Sequence, residues 1–387
     1  MTNFDQLPLS EIKFDCRYFS GYKPCGKSLG CPNCSHYAPR GVEILIIKLG
    51  AMGDVLRTKS LLPGLKKAYP QSTITWLTNP GSAEVVHDSL VDRVLEFGAE
   101  AVLELEAKDF DLLLCLDKEP HALALSGKLK ANTKQGFAPT KHGNATIWND
   151  GSLYAFRLGL SNELKYKQNR NTHPEILYQI AELPYEGQEY ELSLSPASVG
   201  AVNEKLRQTI ILQNTPIVGI NTGCGEAFLT KAWTRNGILD SIHQLIETTG
   251  AVVFLLGGPR EAELNESLRQ ELAPLYPERF LCTGTNNSLA DFFAWVSFCD
   301  VVLSSDSLAM HVAIALKKRV VAFFGPTCEQ EIALFGRGEK WVTDYACSPC
   351  YLKTCTVNPS CMQALTAEPI VSAIARQLDQ LSPKASR

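Results

Sequence analysis

The chain has little surplus of charge of one sign. Its 387 residues carry 37 Lys and Arg against 41 Asp and Glu, interspersed along the length. No basic field exists for the backbone-driven part of nucleic-acid binding, which excludes nucleic acid as a principal partner. Long apolar runs are also missing. None reaches the roughly 18–20 residues that cross a bilayer, and Met1 to Ile12 lacks the charged-then-apolar layout of a secretory signal. The expected compartment is therefore cytoplasmic. Heptads, low-complexity tracts and short repeats are absent too. What is plentiful is apolar residue, 45% of the chain, enough for a sizeable core and for two to three domains by length. Cysteine is plentiful as well, with 13 residues. A reducing compartment rules out a disulfide framework, so this excess asks for metal, cluster or redox chemistry.

Between two cysteine groups near the ends lies an α/β pattern. Val42 to Leu49 is a largely apolar run, as expected of a strand covered on both faces of a parallel sheet. A glycine-containing turn follows at Gly50 to Asp54, then a helical pattern through Val55, Leu56, Leu61, Leu62 and Leu65, which Pro63 is expected to kink. Strands are expected at Thr73 to Leu77, Arg93 to Phe97, Asp111 to Leu116 and Leu192 to Pro196. The alternation restarts at Pro216 to Asn221 and continues through Ala251 to Leu256, Val301 to Ser304 and Arg319 to Phe324. Two doubly wound lobes joined by Ser195 to Thr215 follow, with ligands expected at the carboxyl ends of the strands, in the cleft between lobes.

Three motifs sit at such strand ends. Lys48 to Asp54 (K-L-G-A-M-G-D) closes a strand and opens a helix, where Gly53 permits close approach of backbone and ligand. It has neither the G-x-G-x-x-G spacing nor the G-K-S/T ending, and the ordinary reading of Asp54 is a helix N-cap. Asn221 to Gly225, with Thr222 and Gly223, is a polar glycine-rich loop followed by Lys231, a charge able to neutralise a diphosphate but equally an ordinary surface lysine. Ser304, Ser305, Asp306 and Ser307 lead into a helix carrying His311, where hydroxyls, amides and a carboxylate would hold a phosphorylated sugar. The ordinary alternatives are a cap at Asp306 or Ser307 and a semi-buried, satisfied His311.

In this order and spacing the three motifs resemble glycosyltransferase family 9, the ADP-heptose:lipopolysaccharide heptosyltransferases of the GT-B fold, over about Val42 to Leu378. Ile46 to Arg57 is similar to the family's opening motif, which implies that Asp54 is the general base on the acceptor hydroxyl. Asn221 to Trp233 is similar to the loop ending K-x-W-P, which places Lys231 on the donor diphosphate. Val302 to Ala315 and Phe324 to Thr327 (F-G-P-T) are similar to the donor-binding segments, so that Ser305, Asp306, Ser307, His311, Gly325 and Thr327 would line the nucleotide-sugar site. Thr234 stands where the family has proline, and Leu308 with Ala309 replaces a glycine-proline pair, so donors other than ADP-heptose stay open. The resemblance implies a Rossmann-like acceptor lobe at 41–200, a Rossmann-like donor lobe at 201–365 and a terminal helix and tail at 366–387, preceded by an added cysteine-rich arm at 1–40 that it does not cover. It also implies an inverting transfer to a lipopolysaccharide-type, other glycan or protein acceptor, at the inner membrane face if the acceptor is lipid-linked, with no catalytic divalent metal. Acceptor contacts are expected from loops such as His121 to His142.

Cys347, Cys350, Cys355 and Cys361 place four thiols within 15 residues, a spacing that suits zinc, mononuclear iron or an iron–sulfur cluster, and part of it follows the family lineage. Cys16, Cys25, Cys31 and Cys34 lie in an aliphatic-poor arm, for which a structural staple of zinc, iron or an iron–sulfur cluster is expected. The remaining five cysteines read mostly as small buried hydrophobes, with Cys224 beside the donor loop. Two other functions stay open on sequence: a metal- or cluster-bearing redox or sensing protein, and a nucleotide-sugar binder without turnover.

Overall fold

The computed structural model describes residues 7–28, 30–209, 215–225 and 228–381. They form two compact units. One holds the chain up to Gly50 with 61–156 and 178–184, and the other holds 51–60, 157–177 and the chain from Tyr185 onward.

In the first unit, β1 (Glu43–Ile47), β2 (Thr73–Thr78), β3 (Arg93–Glu96), β4 (Asp109–Cys115), β5 (Lys130–Pro139) and β6 (Ala145–Ile147) form one sheet in the order β3-β2-β1-β4-β5-β6. All neighbours are parallel except β5 and β6. The last four residues of β1 are buried, as a strand with both faces covered requires. The helical pattern after Gly50 resolves into two helices, Met52–Thr58 and Leu61–Ala68. Pro63 kinks neither. It is the third residue of the second helix, where its missing N–H leaves no helical bond unmade. Within His121 to His142, where sequence suggests a loop, the chain forms most of the helix Pro120–Lys128 and then all of β5.

The second unit repeats the plan. Here β7 (Ile217–Asn221), β8 (Val252–Leu256), β9 (Phe280–Cys282), β10 (Val301–Ser305), β11 (Arg319–Phe324) and β12 (Gly338–Val342) pair in parallel in the order β12-β11-β10-β7-β8-β9. The strand expected at Leu192 to Pro196 is absent. Pro196 opens the helix Pro196–Thr209, and the Ser195 hydroxyl accepts from Ser198 N at 3.3 Å, so the local chemistry is that of a helix start. Part of the expected connection, 210–214, lies outside the described residues, as does the tail beyond 381.

The core of this unit gathers Val218, Ile220, Ile242, Leu245, Val253 and Leu255 around the sheet. The C-terminal helix Ala367–Asp379 packs into the same core through Ile370 and Ile374, and is pinned by Arg376 to Glu339 and by Arg319 to Gln377 at 2.8 Å. In each sheet the strand order reverses at one point, β1 beside β4 and β7 beside β10, and a ligand crevice belongs at the carboxyl ends there.

Candidate functional site

At the switch point of the second sheet the carboxyl ends of β7 and β10 bring two motifs together. The Asn221 amide donates to Gly223 O (2.6 Å), Ser304 Oγ (3.1 Å) and Ser307 Oγ (3.2 Å), and the two serine hydroxyls are 2.8 Å apart. Ser307 occupies the N-cap position of the helix Leu308–Ala315, yet its side chain accepts no bond from the helix, since it is committed to Asn221 and Ser304. Lys231 reaches across this crevice. Its Nζ donates to the Asp306 carbonyl at 2.5 Å and lies 3.6 Å from that residue's carboxylate, with only 13% of its side chain exposed. It is therefore not an ordinary surface lysine. A fixed cation, helix amides and hydroxyls at one strand end form a cradle for phosphate oxygens.

Several other expected residues border this cradle. Ser305 is buried at the end of β10, and its carbonyl accepts from Ser304 at 2.8 Å. The Thr222 hydroxyl is spent on Leu256 O (3.0 Å) and Asn265 (2.7 Å), tying the loop to β8. A side chain at Gly223 would sit 3.1 Å from the Glu261 carboxylate. Thr234, which replaces the expected proline, caps the helix Arg235–Thr249 by accepting from Gly237 N at 3.1 Å, so the substitution preserves a helix start.

The first motif meets the third through its helix, which belongs to the same unit. Met52–Thr58 lies on Leu308–Ala315 so closely that a Cβ at Gly53 would be 2.8 Å from the His311 ring. His311 is buried, and its Nδ1 is 3.1 Å from the Tyr190 hydroxyl. Burial, followed by the Arg57 charge, lowers its pKa to about 4, so the ring is neutral at pH 7. Tyr190 is pushed well above the ordinary phenol value by burial.

Asp54 is the third residue of its helix, with Ala51 in the cap position. Its carboxylate pairs with Arg57 at 2.8 Å, and Arg57 also lies 3.7 Å from Glu331. Burial works against the Arg57 charge, but the Asp54 and Glu331 carboxylates outweigh it and hold the guanidinium above its usual value. Sequence reasoning missed Arg57, Glu331 and Tyr190. The signal available for Arg57 was its i+3 spacing from Asp54.

In the first unit the loop after β1 is held by Asp117, also missed. Its carboxylate accepts from Lys48 Nζ at 2.6 Å and from Leu49 N, and both Lys48 and Asp117 are buried. A buried pair of this kind persists because each charge is hydrogen-bonded by the other.

The F-G-P-T turn after β11 is braced by the cysteine-rich loop. Ser348 donates to Gly325 O (2.5 Å), and the backbone N–H groups of Cys350 (3.1 Å) and Tyr351 (2.8 Å) both donate to Pro326 O. Gly325 has no room for a side chain, with Cys361 Sγ 2.6 Å from where its Cβ would stand. Thr327 is buried, its hydroxyl without a hydrogen-bond partner. Tyr351 stacks on Tyr166 at 5.3 Å, meets Phe228 edge-on at 5.6 Å and lies under Lys165, while Thr230 donates to Leu352 O at 2.8 Å. The cysteine loop thus touches the segment that carries Lys231.

No two of the thirteen cysteines are joined in a disulfide. Cys115, Cys224, Cys299 and Cys328 are buried, and burial raises Cys115 and Cys328 to about 11, as for inert packing thiols. Cys347 and Cys355 are exposed and Cys350 and Cys361 half-buried. Zinc, mononuclear iron or an iron–sulfur cluster was expected at the two cysteine groups; among the described residues, no three His, Cys, Asp or Glu side chains are arranged to hold a metal ion. Among the described residues, no helix is long and apolar enough to cross a membrane.

Residues 102–360 match the family described as glycosyltransferase family 9 (heptosyltransferase). Lipooligosaccharide heptosyltransferase 2 of Haemophilus influenzae is 25% identical over 312 residues, spanning 75% of this chain and 85% of the relative. Lipopolysaccharide heptosyltransferase 2 of Escherichia coli is 24% identical over 311 residues, 74% and 83% of the two chains. Among solved structures, a glycosyl transferase family 9 protein from Veillonella parvula superposes with a TM-score of 0.69 at 17% identity over 88% of this chain and 98% of its own. E. coli ADP-heptose lps heptosyltransferase II does so with a TM-score of 0.63 at 18% identity over 88% and 99%. At such identities the structural likeness shows the fold, which is GT-B.

Proposed function

The chain belongs to glycosyltransferase family 9, and from that premise we propose that it transfers heptose from ADP-heptose to a lipooligosaccharide-type acceptor with inversion at the anomeric carbon. The acceptor oxygen forms the new bond to the anomeric carbon as the bond to the diphosphate oxygen breaks, and the ADP leaves with that electron pair. Asp54 takes the acceptor proton. Lys231 and the amides at the start of Leu308–Ala315 face the charge that develops on the diphosphate, a fixed arrangement that needs no reorganisation as the bond breaks. Asn221, Ser304 and Ser307 set the shape of the phosphate cradle, with Gly53, Thr222, Gly223, Ser305, Asp306, His311, Gly325 and Thr327 forming or backing the donor site. A lipid-anchored acceptor would make a membrane face the peripheral partner of the working enzyme.

The observation that carries this reading is the half-buried Lys231 lying across Asp306 at the carboxyl end of β10, in the same unit as the helix that bears Asp54. It is tested by calorimetric titration with ADP, UDP, GDP and dTDP on the wild type and Asp306→Ala. Selective ADP binding weakened by Asp306→Ala is expected; preference for another nucleotide would change the donor, and absence of binding to all four would refute the transferase. Asp54→Asn should keep ADP affinity while kcat falls by about 10²–10⁴, the usual contribution of a general base.

A further inference from the structure

We propose that Cys16, Cys25, Cys31 and Cys34 ligate an iron–sulfur cluster that holds the N-terminal arm in its fold. The arm has little else to hold it. Among its described residues the only regular features are the short turn Leu9–Glu11 and an isolated bridge between Cys16 and Pro39. Among the arm's described residues Cys16 is the only buried hydrophobic side chain, while Leu9, Phe14, Tyr18, Tyr22 and Tyr37 are exposed. Apolar burial on that scale does not offset the entropy of ordering some thirty residues, each costing about 1–2 kcal/mol of backbone freedom.

The arm's backbone nonetheless turns the four cysteines toward one place. Cys16 N donates to Lys13 O (3.0 Å), Cys34 N to Cys31 O (3.2 Å), and Arg17 N to Ala38 O (2.9 Å) across the bridge. The result is a cavity of about 150 Å³ lined by all four cysteines, with Lys13 and Lys23 in its wall. A cavity of that size takes a small molecule rather than one bare ion. A single zinc would draw its thiolates to about 2.3 Å, a smaller space than this cavity. In a cluster, bridging sulfides separate the irons, so the four cysteines ring a wider inorganic core. Thiolates and sulfides together carry net negative charge, and the two lysines answer it. The cluster's role is structural, and no step of the transfer reaction passes through it.

The test uses the full chain purified without oxygen. Iron and acid-labile sulfide are expected in equal amounts, with visible absorption that bleaches on reduction. Cys31→Ser with Cys34→Ser should lose the arm's iron and sulfide and expose residues 8–40 to protease, while Cys347→Ser with Cys350→Ser leaves them in place. ADP titration of each variant reports separately on the donor site, so failure of the cluster and failure of the transferase reading are distinguishable. Zinc in place of iron, no metal, or iron that survives in the Cys31/Cys34 variant would overturn the proposal.

Discussion

At the scale of single residues, the proposed transfer turns on a carboxylate that must be both charged and aimed. Asp54 is a surface-facing side chain, 40% exposed, and Arg57 fixes it from the buried side while Glu331 fixes Arg57. Lysine in place of Arg57 keeps a charge but moves it from the position of the Nη2 nitrogen, which faces both the Asp54 and the Glu331 carboxylates. Arg57→Lys should therefore leave ADP affinity unchanged and lower kcat by up to about 10²-fold, the scale of a misplaced catalytic group; equal kcat in steady-state assays would remove Arg57 from the machinery. His311 gives a pH signature. Its folded pKa of about 4 lies below the ordinary 6.5, so between those values the unfolded chain takes up a proton that the folded chain refuses. Stability from this group is full above about pH 6.5 and declines as pH falls toward 4, by at most about 1.4 kcal/mol per pH unit. The charged and polar groups facing it are Arg57, Asp54, Asp306, Lys231 and Tyr190. Urea unfolding of wild type and His311→Gln across that range should show the variant losing less stability on acidification; parallel curves would contradict it. The sequence exposed Asp54, Lys231 and Asp306 because each follows a strand-like run. It hid Glu331 and Tyr190, whose roles exist only once distant segments meet.

At the scale of elements, the strands were legible where apolar runs are short and bounded, as at Glu43–Ile47, Ile217–Asn221 and Val252–Leu256, because a strand covered on both faces needs no polar alternation. The strand Lys130–Pro139 was not, since it begins with exposed and half-exposed polar residues and carries no such run. Leu192 to Pro196 misled in the opposite direction, because its alternation is strand-like while Pro196 starts a helix. The cysteine-rich loop was legible only as a set of thiols, although what it contributes to the donor side is aromatic. Tyr351 packs on Phe228, three residues before Lys231, and Leu352 holds Thr230. Removing the ring at Tyr351→Ala forfeits contacts worth about 0.5–1.5 kcal/mol, which corresponds to roughly two- to tenfold. The expected result is a rise of that size in donor KM and in the ADP dissociation constant with kcat little changed; an unaltered ADP affinity by calorimetry would show that the loop does not brace Lys231.

At the scale of the whole molecule, two sheets of the same strand order carry different parts of the work. The first sheet's switch point is closed by the buried Lys48–Asp117 pair, whereas the second's holds Asn221, Lys231 and the serines around Asp306. Residues 51–60 leave β1 yet belong to the compact unit of the second sheet, so the Asp54 helix lies in the same unit as the proposed donor cradle. Ligand that binds the folded unit stabilises it by mass action, about 2.7 kcal/mol at a hundredfold excess over the dissociation constant. Hydrogen exchange reports that gain segment by segment, since amides that open only when the unit opens are slowed together. Saturating ADP should therefore slow exchange in β7, β10 and Leu308–Ala315 and in Met52–Thr58 alike, and leave the first unit's edge strands β3 and β6 unchanged. Protection that spares Met52–Thr58 while covering the second sheet would mean that the helix bearing Asp54 opens independently of the donor site, and that nucleotide binding does not hold the base in place.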